Sequence, residues 1–525
     1  MKKITRRSFM EITGKGAMGV LAGSVLAGGS GLVQGSSNGK KPPNILLAIA
    51  DDQSWPHTGA YGCQAVDTPG FDRIAREGVL FTNAFSAAPQ CAPNRAAILT
   101  GRNIWQNEEA GTHASNFPKK FTVYTDILEE HGYELGYTSK GWAPGNWQYN
   151  GRPRNPAGPV FDMHELKSGD GDNMDVKNLD YAENFREFML QRDPEKPFHF
   201  WYGCKEPHRS YKKGSGLEAG KTLEDVEVPS FLPDTKEVRS DLLDYMLEVE
   251  WFDKHLREML EILEDEGELE NTIVVVTSDN GMPFPRAKAN LYEYGTHMPL
   301  AIRWPEKFAA GRKVDDITSS IDFAPTFLEA AGIPIPSDIT GKSLWNILTG
   351  EKEGRIEFDR EYVCTGRERH THARPDNVGY PMRAIRDYQY LYINNIKPGR
   401  WPAGNPTGSG EPEGFHDVDS SPTKSYILDN RDTAEIHPYF ELSFGKRRGE
   451  ELYDITRDPG CTNNLIDDPA YDDVRDRLHK NLFATLEDQN DPRAFGYEVF
   501  DSYPRYSRMR DFKGFKKQGE YNLDF

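Results

Sequence analysis

The length and charge of the chain limit what it can be. At 525 residues it exceeds one small hydrophobic core, so a large domain with a smaller one is expected. The net charge of -19 argues against a nucleic-acid-binding protein, which would carry a basic surface, and 28% charged residues fit a soluble globular protein. An anionic ligand would need a site where Lys and Arg cluster locally.

Residues 1–35 predict an export signal rather than folded structure. Arg6 and Arg7 precede a mildly apolar run rich in Gly and Ala, which is typical of a twin-arginine signal. An ordinary secretion signal with two chance arginines is the alternative. The apolar run is too short to cross a membrane. We therefore expect a bacterial periplasmic or secreted protein whose mature form has no membrane span; the pattern indicates no oligomeric state.

Residues 43–380 alternate strand-like and helix-like patterns and predict a large, mostly parallel α/β sheet. Residues 45–50 are continuously apolar, as expected for a parallel strand covered on both faces, and residues 273–276 repeat the pattern. A helical stripe covers residues 241–264 and is assigned to the core. Further strand candidates end just before Lys140 and shortly before His208.

The pattern loosens after residue 380, and we predict a smaller C-terminal α+β subdomain over residues 381–525. Residues 391–393 are typical of a strand, residues 397–416 of a loop rich in Pro and Gly, and residues 471–486 of a helix. Residues 43–380 would then form the catalytic domain, in which ligands bind beyond the carboxyl ends of the strands.

Acidic and amide side chains follow two of the buried strands and predict a metal site. Asp51 and Asp52 follow the first strand, and Asp279 and Asn280 follow the later one. These groups offer only oxygen atoms, which suit calcium, with magnesium less favoured, whereas zinc usually takes His or Cys ligands. For one pair alone, a helix cap or a loop would be the simpler interpretation.

Cys91 lies in the segment QCAPNRAAILTGR, at the start of a predicted helix. It is one of five widely spaced cysteines, an odd number for an exported protein, with no pair at zinc-binding spacing. Three roles are open: buried filler, a thiolate nucleophile, or the precursor of a modified catalytic residue. A thiolate would be a soft ligand among hard oxygen donors and has no evident histidine partner.

The segment around Cys91 resembles the signature of type I sulfatases. Cys91-Ala92-Pro93-Asn94-Arg95, followed by Leu99-Thr100-Gly101-Arg102, is similar to its Cys-x-Pro-x-Arg pattern, although the family usually has Ser where Asn94 stands. The resemblance covers about residues 43–380 and continues at Glu451-Leu452-Tyr453-Asp454. The heparan N-sulfatase (sulfamidase-like) branch is the most similar, through segments 206–209 and 279–292.

This resemblance implies the alkaline-phosphatase-like fold, with a large mixed and mostly parallel sheet. It also implies that a formylglycine-generating maturation enzyme oxidises Cys91 to Cα-formylglycine. The hydrated aldehyde, held at the metal, would attack the sulfur of a sulfated carbohydrate, and the covalent sulfate would leave when the second hydroxyl is deprotonated. Position 91 would then join the two acidic and amide pairs as a metal ligand.

The resemblance further assigns roles to individual side chains. Arg95 would steady the modified residue, Lys140 and Lys288 would bind the sulfate, and His208 would bind sulfate or donate a proton. Taken singly, the lysines would be solvated surface residues and His208 a structural histidine. Trp142 stands where the family often has a histidine, so either His208 alone assists the leaving group or Trp142 stacks on a sugar ring.

Two further features of the sequence are candidates for substrate binding. His297 closely follows the second metal-binding segment. A basic cluster in CTGRERHTHARP would suit carboxylates or further sulfates of a glycan, with a solvated loop as the alternative. Its members are Arg367, Arg369, His370, His372 and Arg374.

The sequence therefore predicts an exported sulfatase, dependent on formylglycine and calcium, that acts on a sulfated carbohydrate. The substrate would carry N-sulfate or O-sulfate, on a glycosaminoglycan such as heparan sulfate or on an algal polysaccharide. One alternative is a phosphate or phosphonate ester hydrolase on the same scaffold. Another is a non-catalytic glycan-binding protein with unconverted Cys91.

Overall fold

The computed structural model describes residues 41–407 and 414–505; the predicted export signal lies outside them. The strands are β1 (Asn44–Ala50), β2 (Val79–Phe85), β3 (Glu134–Ser139), β4 (Phe198–Gly203), β5 (Thr272–Ser278), β6 (His297–Arg303), β7 (Arg312–Val314), β8 (Thr318–Ser319), β9 (Tyr362–Arg367), β10 (Met382–Asp387), β11 (Tyr390–Asn395) and β12 (Glu450–Asp454). The α-helices are α1 (Pro69–Glu77), α2 (Cys91–Thr100), α3 (Tyr124–Glu130), α4 (Tyr181–Gln191), α5 (Ser215–Glu218), α6 (Lys236–Asp265), α7 (Glu293–Thr296), α8 (Phe323–Ala330), α9 (Trp345–Thr349), α10 (Pro422–Asp429), α11 (His437–Phe444) and α12 (Asp472–Asp488).

Strands β1 to β8 form one mixed sheet in which every strand except β6 runs in the same direction. The strand order is β3-β4-β1-β5-β6-β2-β7, and β8 pairs with β2. Strands β3, β4, β1 and β5 run parallel, whereas β6 is antiparallel to its neighbours β5 and β2. The prediction of a large mixed, mostly parallel sheet is confirmed.

Both faces of this sheet are covered because its central strands are apolar on both sides. Ile45 and Leu47 of β1 pack on one face with the helix that begins at Cys91, whereas Leu46 and Ala48 pack on the other with α4 and α6. Alternate residues of a strand point to opposite faces, so a continuous apolar run indicates a strand that is covered twice. Two separate hydrophobic cores result.

Helix α6 is the long helix that covers one of these faces. It spans 30 residues, and the side chain of Thr235 caps it by accepting from the backbone N–H of Val238 at 3.4 Å. The helix predicted over residues 241–264 is confirmed and begins slightly earlier. Among the described residues, no helix is long and apolar enough to cross a membrane. The five cysteines are all described and are free thiols.

A second sheet lies in the C-terminal part of the chain. Strands β12, β11, β10 and β9 form it in that order, and all are antiparallel. The boundary predicted at residue 380 falls between β9 and β10, so residues 362–367 belong by pairing to this sheet. The helix predicted at residues 471–486 corresponds to α12, which packs against β10 and β11.

Candidate active site

Strand pairing brings the predicted metal ligands to one edge of the large sheet. Strands β1 and β5 are parallel neighbours in register, so the residues that follow each strand lie side by side. Asp51, Asp52, Asp279 and Cys91 each place one ligand atom within 4.8 Å of the others. The Cys91 thiol donates to Asp51 Oδ1 at 3.2 Å and lies 3.9 Å from Asp52 Oδ1. All four side chains are buried.

Asn280 completes this group and carries an oxygen atom that indicates a cation. Its amide nitrogen donates to Asp52 Oδ1 at 2.7 Å, whereas its amide oxygen is buried without a hydrogen-bond partner among the described residues. Leaving such an atom unpaired costs about 1–3 kcal/mol. A hard divalent cation would satisfy it, and the surrounding carboxylates are the ligands that Ca²⁺ prefers. The residues present therefore fit a calcium ion.

Arg95 connects helix α2 to the segments that follow two strands. Its Nε donates to Asp279 Oδ2 at 2.7 Å, and its Nη1 donates to the carbonyl oxygen atoms of Lys140 at 2.6 Å and Gly141 at 3.2 Å. The guanidinium and the Asp279 carboxylate are both fully buried. Arg95 therefore orients Asp279 and the loop after β3, one turn along the helix from Cys91.

Two lysines and a histidine lie next to the carboxylates of Asp51 and Asp52. Lys288 Nζ donates to Asp52 Oδ2 at 2.6 Å, and Lys140 Nζ pairs with Asp51 Oδ2. His208 lies at the same edge, with its Nε2 3.9 Å from Asp52 Oδ2 and 31% of its side chain exposed. Cations placed this way beside a metal site can bind the oxygen atoms of a tetrahedral anion and stabilise charge that develops on them.

Burial and neighbouring charges decide which of these groups are ionised. Burial opposes the ionisation of Asp51, but Lys140 and then His208 outweigh it and hold the pKa of this carboxyl well below its usual range. Burial and then Asp51 raise the pKa of Asp279 to about 7 and the pKa of the Cys91 thiol well above its ordinary value. The unmodified thiol is therefore protonated at neutral pH, which disfavours the thiolate nucleophile.

Asn94, the departure from the family pattern, fixes the first turn of α2. Its side-chain oxygen accepts from the Ala87 backbone N–H at 2.9 Å and from the Ser320 hydroxyl at 2.6 Å. Its amide nitrogen donates to the backbone carbonyl of Asp279 at 2.6 Å. These three bonds hold the start of the Cys91 helix against the segments that follow β2, β8 and β5.

The structure corrects the predicted contact between Trp142 and a sugar ring. The side chain is fully buried, its indole N–H donates to the carbonyl oxygen of Ala92 at 3.0 Å, and its ring packs edge-on against Phe117. An indole with no exposed face cannot stack on a ligand. Trp142 instead supports the residue that follows Cys91.

His297 is also placed in the interior rather than at a substrate. It is 3% exposed, its Nδ1 lies 3.2 Å from Glu293, and its ring stacks on Trp55 with the centroids 4.4 Å apart. Its Nε2 lies 2.9 Å from the backbone carbonyl oxygen of Thr82. These contacts explain His297 as a packing residue, and its predicted role in substrate binding is corrected.

The basic cluster that was predicted to bind the substrate is buried as well. Arg367 and Arg374 pair with Asp417 Oδ2 at 2.8 and 2.6 Å, and His370 Nδ1 lies 3.7 Å from Asp417 Oδ1. The other two members, Arg369 and His372, are 1% and 3% exposed. A guanidinium that is buried on a carboxylate is unavailable to a glycan. Both predictions for this cluster, a substrate-binding surface and a solvated loop, are therefore corrected: all five side chains are buried, and Arg367, His370 and Arg374 gather around Asp417.

Asp419 is a residue of the site that the sequence analysis missed. Its Oδ2 lies 3.2 Å from Lys288 Nζ, so Lys288 is held between Asp52 and Asp419. Burial opposes its ionisation, but Lys288 and then His208 outweigh burial and hold the pKa of Asp419 well below its usual range. The only local signal was an acidic alternation, Asp417 and Asp419, just after the segment 397–416 that was predicted as a loop.

This sheet, with carboxylates, an amide and cations gathered at one edge, defines a hydrolase of the alkaline-phosphatase-like fold. Residues 43–333 match the family model described as "Sulfatase", and residues 286–390 match the one described as "N-sulphoglucosamine sulphohydrolase, C-terminal". The chain belongs to the sulfatase family and is a sulfuric ester hydrolase.

Proteins similar to this chain include a human and a bacterial enzyme. N-sulphoglucosamine sulphohydrolase of Homo sapiens is 28% identical over 86% of this chain and 91% of its own length. An ulvan-active sulfatase of Formosa agariphila is 27% identical over 88% of this chain and 83% of its own length. A protein solved in complex with its substrate D-glucosamine-2-N,6-O-disulfate superposes with a TM-score of 0.62 at 22% identity, over 86% of this chain and 99% of that one. The last similarity is one of fold alone.

Proposed function

We propose that the protein is an exported bacterial sulfatase that removes N-sulfate or O-sulfate from a sulfated carbohydrate. The observation that carries this proposal is the position of Cys91, 3.2 Å from Asp51 and beside cations that suit a sulfate. The family model over residues 286–390 and the human relative favour a glycosaminoglycan with N-sulfated glucosamine. The ulvan-active relative keeps an algal polysaccharide as the second candidate. The twin-arginine pattern in residues 1–35 supports export.

The active form would contain Cα-formylglycine at position 91, made by a maturation enzyme. The raised pKa of the thiol supports this, because an unmodified Cys91 would be a poor nucleophile. Cys91 is 1% exposed, so the maturation enzyme must reach it before the chain completes folding. The sequence around Cys91, with Pro93 and Arg95 at the family's spacing, supports recognition by that enzyme.

Different residues of the site would bind the metal ion, bind the sulfate and donate a proton. A calcium ion, when bound, would supply electrostatic stabilisation of negative charge on the sulfuryl oxygen atoms. Its ligands would be Asp51, Asp52, Asp279, Asn280 and the modified residue 91. Lys140 and Lys288 would bind the remaining sulfate oxygen atoms, and Arg95 would keep Asp279 in place. His208, the partly exposed member, would donate a proton to the leaving oxygen or nitrogen.

Mass spectrometry and activity measurements on one preparation test this proposal. The peptide that contains Cys91 should carry an aldehyde in place of the thiol, and Cys91→Ala should abolish turnover of sulfated substrates. Cys364→Ala is the matched control, since Cys364 is buried in β9 and free. An unmodified thiol in fully active protein, or an active Cys91→Ala variant, would refute the assigned nucleophile.

A substrate panel separates the remaining candidates. N-sulfoglucosamine, glucosamine 6-O-sulfate and a sulfated algal oligosaccharide would be compared, together with aryl sulfate, phosphate and phosphonate esters. The proposal expects sulfated compounds to be turned over with the larger kcat/KM. A larger kcat/KM for phosphate or phosphonate esters would favour the alternative hydrolase on the same scaffold.

A further inference from the structure

A second group of potential metal ligands lies outside the Cys91 site. It consists of Asp180, His255 and Glu258, whose ligand atoms all lie within 4.8 Å of one another. His255 and Glu258 belong to α6, and Asp180 is the residue that caps α4. Both helices pack on the face of the large sheet opposite to the one covered by the Cys91 helix. The group is therefore separate from the sulfatase centre.

The geometry of this group is compatible with coordination by one nitrogen and two oxygen atoms. His255 Nδ1 lies 3.3 Å from Glu258 Oε2 and 3.8 Å from Asp180 Oδ1. His255 and Glu258 are three residues apart on one helix, a spacing that places both side chains on the same face. Asp180 is fixed from the other helix, since its Oδ1 accepts from the backbone N–H of Glu183 at 3.0 Å. Ligands about 2.0–2.2 Å from an ion would be spaced in this range.

The buried imidazole is the observation that points to a ligand. The side chain of His255 is 1% exposed, and among the described residues its Nε2 has no hydrogen-bond partner, while its Nδ1 only faces the Glu258 carboxylate at 3.3 Å without good hydrogen-bond geometry. The rings of Tyr181 and Trp251 lie edge-on to it, with centroids 5.1 and 5.0 Å away, and enclose it in apolar surface. A buried polar atom without a well-directed partner is unfavourable, so an ion between Nδ1 and the two carboxylates would relieve this cost.

The two carboxylates leave an entry path for an ion. The side chains of Asp180 and Glu258 are 17% and 32% exposed, so the group opens to solvent on their side. Lys254 Nζ is 3.9 Å from Glu258 Oε1, the carboxylate oxygen that does not face His255. The net charge of the three ligands with a neutral imidazole is negative, which attracts a cation.

We propose that Asp180, His255 and Glu258 form a second metal site that binds a divalent transition ion such as Zn²⁺. An imidazole nitrogen with two carboxylate oxygen atoms suits Zn²⁺ or a neighbouring first-row ion better than Ca²⁺, which prefers oxygen atoms alone. Water would complete the coordination. The ion would cross-link α4 to α6 and stabilise the folded state, because binding to the folded chain alone shifts the equilibrium toward it.

Titration of the full-length enzyme with Zn²⁺ tests this site directly. Chelator-treated wild type and the variants His255→Gln, Glu258→Gln and Asp180→Asn would be compared by calorimetry. Asn also serves as a helix cap, so Asp180→Asn removes a ligand charge while it preserves the start of α4. His479→Gln is the matched control, since His479 on α12 also pairs with a glutamate, Glu450 of β12, at 3.4 Å. The readout is the difference from wild type, so it does not depend on what binds at Cys91.

We expect the wild type and the His479 variant to bind one more Zn²⁺ than the His255 variant. The Glu258 and Asp180 variants should weaken that binding by more than about tenfold, because losing even an outer partner of a metal ligand costs 10–100-fold. Zn²⁺ should raise the Tm of the wild type more than that of these variants, whose sulfatase activity should be retained. Equal zinc stoichiometry and affinity in wild type and all three variants would overturn the proposal, and the group would then be a histidine–carboxylate ion pair.

Discussion

The indole N–H of Trp142 donates to the carbonyl oxygen of Ala92 at 3.0 Å, immediately beside Cys91. This bond joins the loop after β3 to the first turn of α2, and both residues are buried. The position at which the family often has a histidine therefore holds a side chain that supports the Cys91 helix. In the proposed mechanism, protonation of the leaving group would therefore fall to His208, the histidine 3.9 Å from Asp52.

Replacing Trp142 by Phe should lower the free energy of unfolding. A buried hydrogen bond and part of a core ring are lost together, which costs on the order of 2 kcal/mol. Urea unfolding and steady-state kinetics would measure the effect, and we expect kcat to fall more than KM rises. Trp147→Phe is the control, because Trp147 is only partly buried. A higher KM with unchanged stability would instead place Trp142 at the substrate.

Replacing Lys288 by Ala should reduce both stability and turnover. The change leaves the fully buried Asp52 and the partly exposed Asp419 without their shared ammonium group, and breaking a buried pair costs about 3–5 kcal/mol. We expect Lys288→Arg to lose less stability than Lys288→Ala, since it keeps the charge. The measurements are chemical unfolding and kcat/KM on a sulfate ester. Lys212→Ala, which breaks an exposed pair with Glu218, should change neither; a fully active Lys288→Ala variant would contradict the assignment.

Removal of calcium should inactivate the enzyme and lower its Tm. Without the ion, the clustered carboxylates of Asp51, Asp52 and Asp279 repel one another and the Asn280 oxygen stays unpaired. Activity and Tm would be followed during treatment with a calcium-selective chelator and after Ca²⁺ is restored. Mg²⁺ should restore less, because it demands a tighter octahedral geometry. Full activity after verified removal of bound metal would refute the calcium site.

The stability of the fold should fall in acid through Glu293. Burial would raise the pKa of Glu293, but Arg386 and His297 outweigh it and lower the pKa to about 2 from the ordinary 4.5. The stabilisation is therefore fully present above pH 4.5 and is lost as the pH falls from 4.5 toward 2, since the unfolded chain takes up the proton first. The shift corresponds to on the order of 3 kcal/mol.

The variant Glu293→Gln isolates this contribution. Its free energy of unfolding, measured by urea at several pH values, should depend less steeply on pH between 4.5 and 2 than that of the wild type. Glu261→Gln is the control, since the Glu261 side chain on α6 is 61% exposed. Identical pH dependence in wild type and Glu293→Gln would show that Arg386 and His297 do not lower this pKa.

The local patterns of the chain were sufficient for the elements that build the site. The apolar run before Asp51 and its repeat before Asp279 specify twice-covered strands, because period-two alternation is absent in both. The oxygen-only chemistry of the residues after them predicted a hard cation. The role of Asp419 could not be predicted, since its contact with Lys288 joins loops 131 residues apart and leaves no local pattern.

Side-chain type alone led to wrong predictions for the charged and aromatic residues that were expected to bind the substrate. A run of arginines and histidines such as the one at residues 367–374 is typical of an anion-binding surface when nothing covers it. Here Asp417, from a distant loop, neutralises Arg367 and Arg374, so the run packs inside the protein. The same holds for Trp142. Its aromatic side chain suggested stacking on a sugar ring, but it is buried in the core and donates a hydrogen bond to Ala92 of α2.

The sequence by itself determined the family, the parallel strands and the identity of the groups that surround Cys91. These depend on residue type and on short spacings, which the chain carries regardless of how it folds. Only the tertiary structure decided which charges gather at the Cys91 site and which pair with carboxylates in the interior, because that depends on what packs against each side chain. The same packing enclosed His255 between two aromatic rings beside two carboxylates, a contact between helices that no spacing along the chain could reveal.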